Sequence, residues 1–196
     1  LFSDYVISRV AAEVANATET SIWSGAAGEG SFDGFSTLLA ADATVVDVAA
    51  ATVTAANVID QLGAIVDAAD AAVLGKEDLT LYISNNIARA YIRALGGFGT
   101  AGLGGNGVDS KGTTWYNGGQ LTFEGINIFV AQGLGDNKAV LAEKSNLFFG
   151  TGLLDDRNEV KVIDMADLDG SQNVRVVMRY TAGVQIGIGS AIVLYS

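Results

Sequence analysis

LTFEGINIFVAQGLGDNKAVLAEKSNLFFGTGLLDDRNEVKVIDMADLDGSQNVRVVMRYTAGVQIGIGSAIVLYS, residues 121–196, decides the fold. A short apolar strand over residues 126–130 meets a Gly-Asp-Asn loop, and an Ala-Glu-Lys-Ser-Asn segment then runs into Leu147-Phe148-Phe149-Gly150. A charged strand over residues 158–165 turns at Asp167-Leu168-Asp169-Gly170 into a long alternating strand over residues 174–180. An apolar strand over residues 191–195 follows. Period-two alternation is what a strand with one buried face requires, and Asp and Gly supply the bend between two such strands.

Upstream of this stretch the periodicity changes. Phe2, Val6, Ile7, Val10, Val14 and Ala17 recur at helical spacing, with Asp4, Arg9, Glu13, Asn16 and Glu19 between them, which predicts a long amphipathic helix over residues 2–22. GAAGEGSFDGFSTLL, residues 25–39, predicts a glycine-punctuated loop anchored by Phe32, Phe35 and Leu38. Residues 44–54 are β-branched and alanine-rich, a strand or extended connector. Thr54 then caps a helix whose apolar face is Val58, Ile59, Leu62, Ile65, Val66 and Ala69. Residues 79–83 form a buried strand, and Ser84 or Asn85 caps a helix over residues 86–95 that buries Ile87, Tyr91, Ala94 and Leu95 and exposes Arg89 and Arg93. Residues 96–119 are glycine-rich and lose all periodicity, a flexible loop. Helix, strand, helix, loop and strand in this order give an α+β unit, and the charged strands after it a second, mainly β lobe.

Composition narrows the chemistry. Of 196 residues, 49% are hydrophobic and 17% charged, which leaves apolar surface for a partner and makes an oligomer the natural outlet. The net charge of -11 opposes a surface that tracks phosphates, since duplex binding needs clustered cations. With no Cys there is no disulfide or thiolate, and with no His the usual general base and commonest metal ligand are missing. No apolar run reaches the ~20 residues of a spanning helix, and the start lacks the pattern of a signal peptide. Pro is absent as well, and the chain opens on Leu within a helical pattern, so the expectation is a truncated or processed product.

The motifs that could carry chemistry have plainer readings. Gly97-Phe98-Gly99-Thr100-Ala101-Gly102 has dinucleotide-type glycines, but that site needs a strand before and a helix after, and here a helix precedes. Asp167-Leu168-Asp169-Gly170 resembles part of a calcium loop, yet the first and closing ligand positions would be Met165 and Val176, so a β-turn is the better reading. Asn16-Ala17-Thr18 is a formal glycosylation acceptor inside a helix. Asp155-Asp156 offers a carboxylate pair that nothing selects, and Lys144-Ser145 reads as an exposed loop or helix start before it reads as a nucleophile. Arg89 and Arg93, one turn apart, could grip a phosphate, but solvated charges or subunit salt bridges fit better. No catalytic, cofactor-binding or metal-binding residues are expected.

The order of pieces resembles the major capsid proteins of tailed bacteriophages, the Hong Kong 97 type. SDYVISRVAAEVANATETSIWSG is similar to that family's spine helix, and GEGSFDGF to the glycine-rich loop after it. NVIDQLGAIVDAADAAVLGKEDLTLYISNNIARAYIRAL resembles the helix-strand-helix unit of the axial domain, and residues 124–187 resemble the axial strand, subunit-facing segment and returning sheet of the peripheral domain. The resemblance covers nearly the whole chain and rests on order, not on one specific motif. It implies a peripheral domain with spine helix and glycine loop over residues 1–46, an axial domain over 47–154, a peripheral β-sheet over 155–183 and a closing axial strand over 184–196. The family's N-terminal arm and extended hairpin are not visible, so no crosslink site is carried over. A proline-bearing turn would be unsurprising at Ala131-Gln132-Gly133, where this chain has none.

What the resemblance implies is assembly without chemistry. The subunit would form hexamers and pentamers of an icosahedral shell around the double-stranded DNA of a tailed phage, assembled in the host cytoplasm and located in the virion. Portal, scaffolding or decoration proteins would be partners, with no membrane, no cofactor and no sequence-specific DNA contact. Residues 96–119 would lie near a symmetry axis and adapt to five-fold and six-fold surroundings. The spine helix and the sheet over residues 158–180 would form the rigid base of the wall. An encapsulin-like bacterial compartment shares these features and stays open as the alternative, beside a hydrolase with an unrecognised Ser, Lys or Asp site and a β-strand adhesin.

Overall fold

In a computed structural model the described residues are 2–28, 31–96, 120–152, 160–166, 170–171, 173–178 and 181–196. Its centre is a mixed six-stranded sheet in the order β1-β10-β5-β2-β4-β3. These strands are β1 (Val46–Val48), β2 (Leu79–Ile83), β3 (Thr122–Phe123), β4 (Ile126–Val130), β5 (Ala139–Glu143) and β10 (Val193–Tyr195). β2 pairs parallel with β4 and antiparallel with β5, while β10 joins β5 antiparallel to β1 parallel. Chain segments far apart in sequence therefore share one sheet, and β2 and β5 at its middle are buried on both faces.

Helices cover the two faces unequally. On one face α3 (Val58–Asp67) and α5 (Asn85–Leu95) bury Val58, Leu62, Ile65, Ile87 and Tyr91 against Leu81, Leu141 and Tyr195. On the other, the end of α1 (Phe2–Ser24) and α2 (Phe35–Ala41) place Trp23, Phe35 and Leu39 over Val140, Ala142 and Leu194. Apolar side chains at helical spacing explain both layers, since each helix hides one stripe. A short helix α4 (Ala71–Leu74) starts at Asp70, whose carboxylate accepts the Ala72 amide at 2.8 Å.

Two antiparallel pairs outside this sheet fall in the sequence between β5 and β10. β6 (Leu147–Thr151) pairs with β9 (Ala182–Ile186), and β7 (Val160–Asp164) with β8 (Val174–Met178). Leu147, Val184 and Ile186 root the β6–β9 pair in the Trp23 core, and the Asn146 side chain clamps its base by accepting the Ile188 amide at 2.7 Å and donating to the Ile188 carbonyl at 2.8 Å.

Several expectations are corrected. The glycine-punctuated loop ends at Gly34, and α2 follows, because Phe35 and Leu39 lie one turn apart and bury together. Gly34 admits no side chain, since a Cβ there would meet the Gly25 amide and the Ser21 carbonyl. Thr54 does not cap α3; Asn57 stands at the cap, and its Oδ1 accepts the Thr54 amide at 2.7 Å instead of a helix amide. Ser84 is the cap residue of α5, but its hydroxyl donates to Asn86 Oδ1 at 2.6 Å. Leu95 is 44% exposed, because it flanks the buried stripe in the last turn of α5. The sequence predicts no strand at β3, β5, β6 or β9.

Candidate functional site

Each residue singled out for chemistry has a structural place or lies outside the described residues. Ser145 is fastened to Asp78, whose Oδ2 accepts the Ser145 hydroxyl at 2.6 Å and its amide at 3.3 Å. These bonds, the hydroxyl first and the amide second, hold the Asp78 carboxyl below its ordinary value of 3.8 and make it a weaker base. Lys144 opens the short 3-10 turn Lys144–Asn146, and its amide donates to the Asp78 carbonyl at 3.2 Å. Lys76 pairs with Glu143 at 2.6 Å beside it. The group thus ties β5 to the entrance of β2, a structural knot in which the Ser145 hydroxyl and the Asp78 carboxylate are bonded to each other.

Asn16-Ala17-Thr18 lies in the middle of α1, where the Thr18 hydroxyl donates to the Val14 carbonyl at 2.7 Å and the Asn16 carbonyl accepts the Thr20 hydroxyl at 2.9 Å. Arg89 and Arg93 project from the exposed side of α5. The glycines of residues 97–102, the loop over residues 96–119 beyond Gly96, the Asp155-Asp156 pair and Asp167, Leu168 and Asp169 lie outside the described residues. β7 and β8, on either side of that last segment, pair antiparallel. Among the described residues no three acidic side chains cluster as a metal site would need, and no helix is long and apolar enough to cross a membrane.

What the surface offers is apolar area. Phe148 and Phe149 are 54% and 43% exposed on the β6–β9 ribbon, where they border an open depression of about 740 Å³ floored by Gly150 and Gly183. Val162 and Val174 are exposed on the β7–β8 pair, Tyr5 and Ile7 on α1, and Phe129 on the uncovered part of the sheet. A two-stranded ribbon is marginal by itself in water, so exposed apolar side chains on two such ribbons call for a covering surface. Among the described side chains of α1 only Trp23 is buried; Val6, Val10 and Val14 are half-covered, and the stripe predicted to face the core is left partly open.

The path of the chain has counterparts. A chain of Mycobacterium phage Che8 superposes with a TM-score of 0.65 at 14% identity, over 97% of this chain and 62% of that one. The capsid of an empty GTA particle gives 0.64 at 15% identity, over 98% and 65%, and that of a native GTA particle 0.61 at 18% identity, over 98% and 64%. The chain has the capsid fold. This is the α+β architecture that the order of pieces implied, recovered at identities too low for sequence comparison. No protein-family model and no curated protein matches the chain. It spans less than two thirds of the length of these capsid-fold chains.

Phe148 and Phe149 carry no strand expectation from the sequence, and the structure sets them on β6. Their signal was present: two adjacent aromatics point to opposite faces of any strand, so both can be buried only if both faces are covered.

Proposed function

We propose that this chain is the subunit of a self-assembling capsid-type shell. The observation that carries the proposal is agreement in fold over 98% of the chain with the GTA capsids, joined to exposed apolar side chains on α1 and on both two-stranded ribbons. In this reading binding energy replaces chemistry. Many weak contacts, multiplied by a closed symmetric array, hold the wall, and no reacting group is needed.

The finer reading is a major capsid protein of a tailed phage, forming hexamers and pentamers of an icosahedral shell around double-stranded DNA in the virion, after assembly in the host cytoplasm. Residues 47–154 and 184–196 would be the axial domain, built on the six-stranded sheet; residues 1–46 and 155–183 would be the peripheral domain. β1 straddles the first of these divisions, and β6 pairs across the second with β9. The net charge of -11 suits a wall that confines a polyanion without holding it, with portal, scaffolding or decoration proteins as further partners.

Negative-stain microscopy of the purified protein tests this directly. Icosahedral particles that contain DNA are expected. Small shells that hold protein and no DNA would favour the compartment reading, and a protein that remains monomeric at every concentration would remove both.

A further inference from the structure

α1 and α2 cover only part of their face of the central sheet. Trp23, Phe35 and Leu39 lie over β5 and β10, while Asn127 and Phe129 of β4 are exposed on the part left open. Thr80 and Tyr82 of β2 stand directly across from them in register, so all four share this face. On the far side of β2, Ala142 of β5 is opposite Thr80, and Lys144 follows two residues later. Thr80, Asn127, Phe129 and Lys144, with Gln120 and Ile128, line a pocket of about 330 Å³, at the lower end of the size range of small-molecule clefts.

The pocket has two unlike ends. The Lys144 amide donates to the Asp78 carbonyl at 3.2 Å, which sets Lys144 level with the entrance of β2, two residues before Thr80. Phe129 is level with Tyr82, two residues after it. Four residues of strand separate these levels by about 13 Å. At the first end the neighbouring acids are engaged, Glu143 with Lys76 and Asp78 with Ser145, and among the described residues Lys144 has no ion-pair partner. At the other end Phe129 is 52% exposed; its ring meets Tyr82 edge to face at 5.8 Å, and Tyr82 rests in turn on Trp23. A ring propped in this way offers a fixed apolar surface. Between the ends, the buried Thr80 hydroxyl makes only a long bond of 3.3 Å to the Asp78 carbonyl, and the Asn127 side chain has no hydrogen-bond partner among the described residues. Gln120 Nε2 donates to the Ile128 carbonyl at 2.7 Å, which fixes that side chain as a wall.

We propose that this pocket binds a small monocarboxylate with a flat apolar body, its carboxylate against the Lys144 ammonium and the Asn127 amide and its body on the Phe129 ring. The site does not depend on the shell reading. Charge selects the head: one lysine matches one negative charge, whereas a phosphate dianion would be left half-compensated in a chain of net charge -11. Geometry selects the body, since a ligand reaching from Lys144 to Phe129 buries its apolar end against a ring that otherwise lies in water. An exposed ammonium–carboxylate contact is weak alone, so both ends are needed.

Calorimetric titration of the purified protein with phenylbutyrate is the test, beside phenylbutanol, which lacks the charge, and butyrate, which lacks the ring. Saturable binding of phenylbutyrate is expected, about tenfold tighter than either control. Lys144→Met is expected to weaken phenylbutyrate about tenfold and to leave phenylbutanol unchanged, whereas Lys144→Arg keeps most of the affinity. Phe129→Ala is expected to weaken phenylbutyrate and phenylbutanol alike. Both side chains are exposed, and thermal melting shows that each variant is folded. Absence of saturable binding overturns the proposal. So does binding that neither Lys144→Met nor Phe129→Ala changes, which would put phenylbutyrate on another surface. Butyrate as tight as phenylbutyrate overturns the role of the ring, and inorganic phosphate that displaces phenylbutyrate at equal concentration assigns Lys144 to a phosphate ligand instead. None of these outcomes bears on assembly, which microscopy reads separately.

Discussion

Trp23 at the end of the long helix and Tyr82 in the middle of the sheet stack with ring centroids 5.0 Å apart and planes tilted by 46°. Phe35 meets Trp23 at 5.4 Å on one side, and Phe129 meets Tyr82 edge to face at 5.8 Å on the other. This row fixes where α1 leaves the sheet. Truncating a buried Trp removes a large contact area and leaves a cavity, so Trp23→Ala is expected to cost about 3–5 kcal/mol. Trp23→Phe keeps a ring in the row and should recover more than half of that. Denaturant midpoints of the three proteins check this; a loss under about 1 kcal/mol for Trp23→Ala would contradict the role given to the row.

How much could be read beforehand follows from the same elements. α3, α5, β2 and β4 have one covered face or a plain apolar run, α1 has an amphipathic pattern, and periodicity announces all five. β5 did not, because Ala139-Val140-Leu141-Ala142-Glu143 is buried on both faces and shows no alternation, while its Ala and Glu favour a helix. β6 and β9 were hidden for another reason. They pair across 30 intervening residues, and Gly150 opposite Gly183 carries no strand signal of its own. The candidate surface was legible only as excess apolar composition, since sequence does not say which hydrophobic side chains a fold leaves outside.

Asn137 is a second joint. With φ of 57° it occupies the left-handed region, which Asn tolerates better than most residues, and its Oδ1 accepts the Val53 amide at 2.9 Å and the Asn86 side chain at 2.8 Å. Its own amide donates to Asn86 Oδ1 at 3.1 Å. One side chain thus links the connector before α3, the start of α5 and the loop before β5. Asn137→Ala loses these acceptor contacts and strains the backbone, for an expected cost of about 2–3 kcal/mol. Asn137→Gly relieves the strain but not the lost bonds, and should fall between. Equal stability of the Ala and Gly variants would show that backbone conformation plays no part.

The Asp78–Ser145 bond has a pH signature. Because the folded carboxyl titrates below its ordinary 3.8, its contribution is complete above the unfolded value and is lost as pH falls through the folded one. Asp42 behaves alike, held down first by the Thr44 amide and then by its hydroxyl. Ser145→Ala should bring the Asp78 titration back toward 3.8 and flatten the loss of melting temperature below that pH. Carboxyl carbon shifts followed by NMR between pH 2 and 6, as an approximate range around the ordinary carboxylate value, measure the first directly. An unchanged Asp78 titration would mean that Ser145 does not bind it in solution.

The turn after β4 shows why two residue types are restricted there. A Cβ on Gly133 would fall on the Glu19 carbonyl and the Thr20 backbone, so the loop lies directly against α1. The Ser24 hydroxyl donates to the Gly133 carbonyl at 2.5 Å, and Glu19 Oε1 accepts the Gln132 amide at 3.1 Å. The Ala131 amide donates to the Ile83 carbonyl at 2.9 Å. A proline at 131 or 132 would remove one of these donors, which gives a local reason for the missing turn proline. Gly133→Ala must push α1 away from the sheet and is expected to cost about 1–3 kcal/mol through overpacking. Gln132→Pro should cost less, since the bond it removes is exposed. Hydrogen exchange of the last turns of α1 separates the two variants: Gly133→Ala should speed exchange at residues 19–24, and Gln132→Pro should leave it nearly unchanged. If both variants match the wild type, the close approach of loop and helix is not what seats α1.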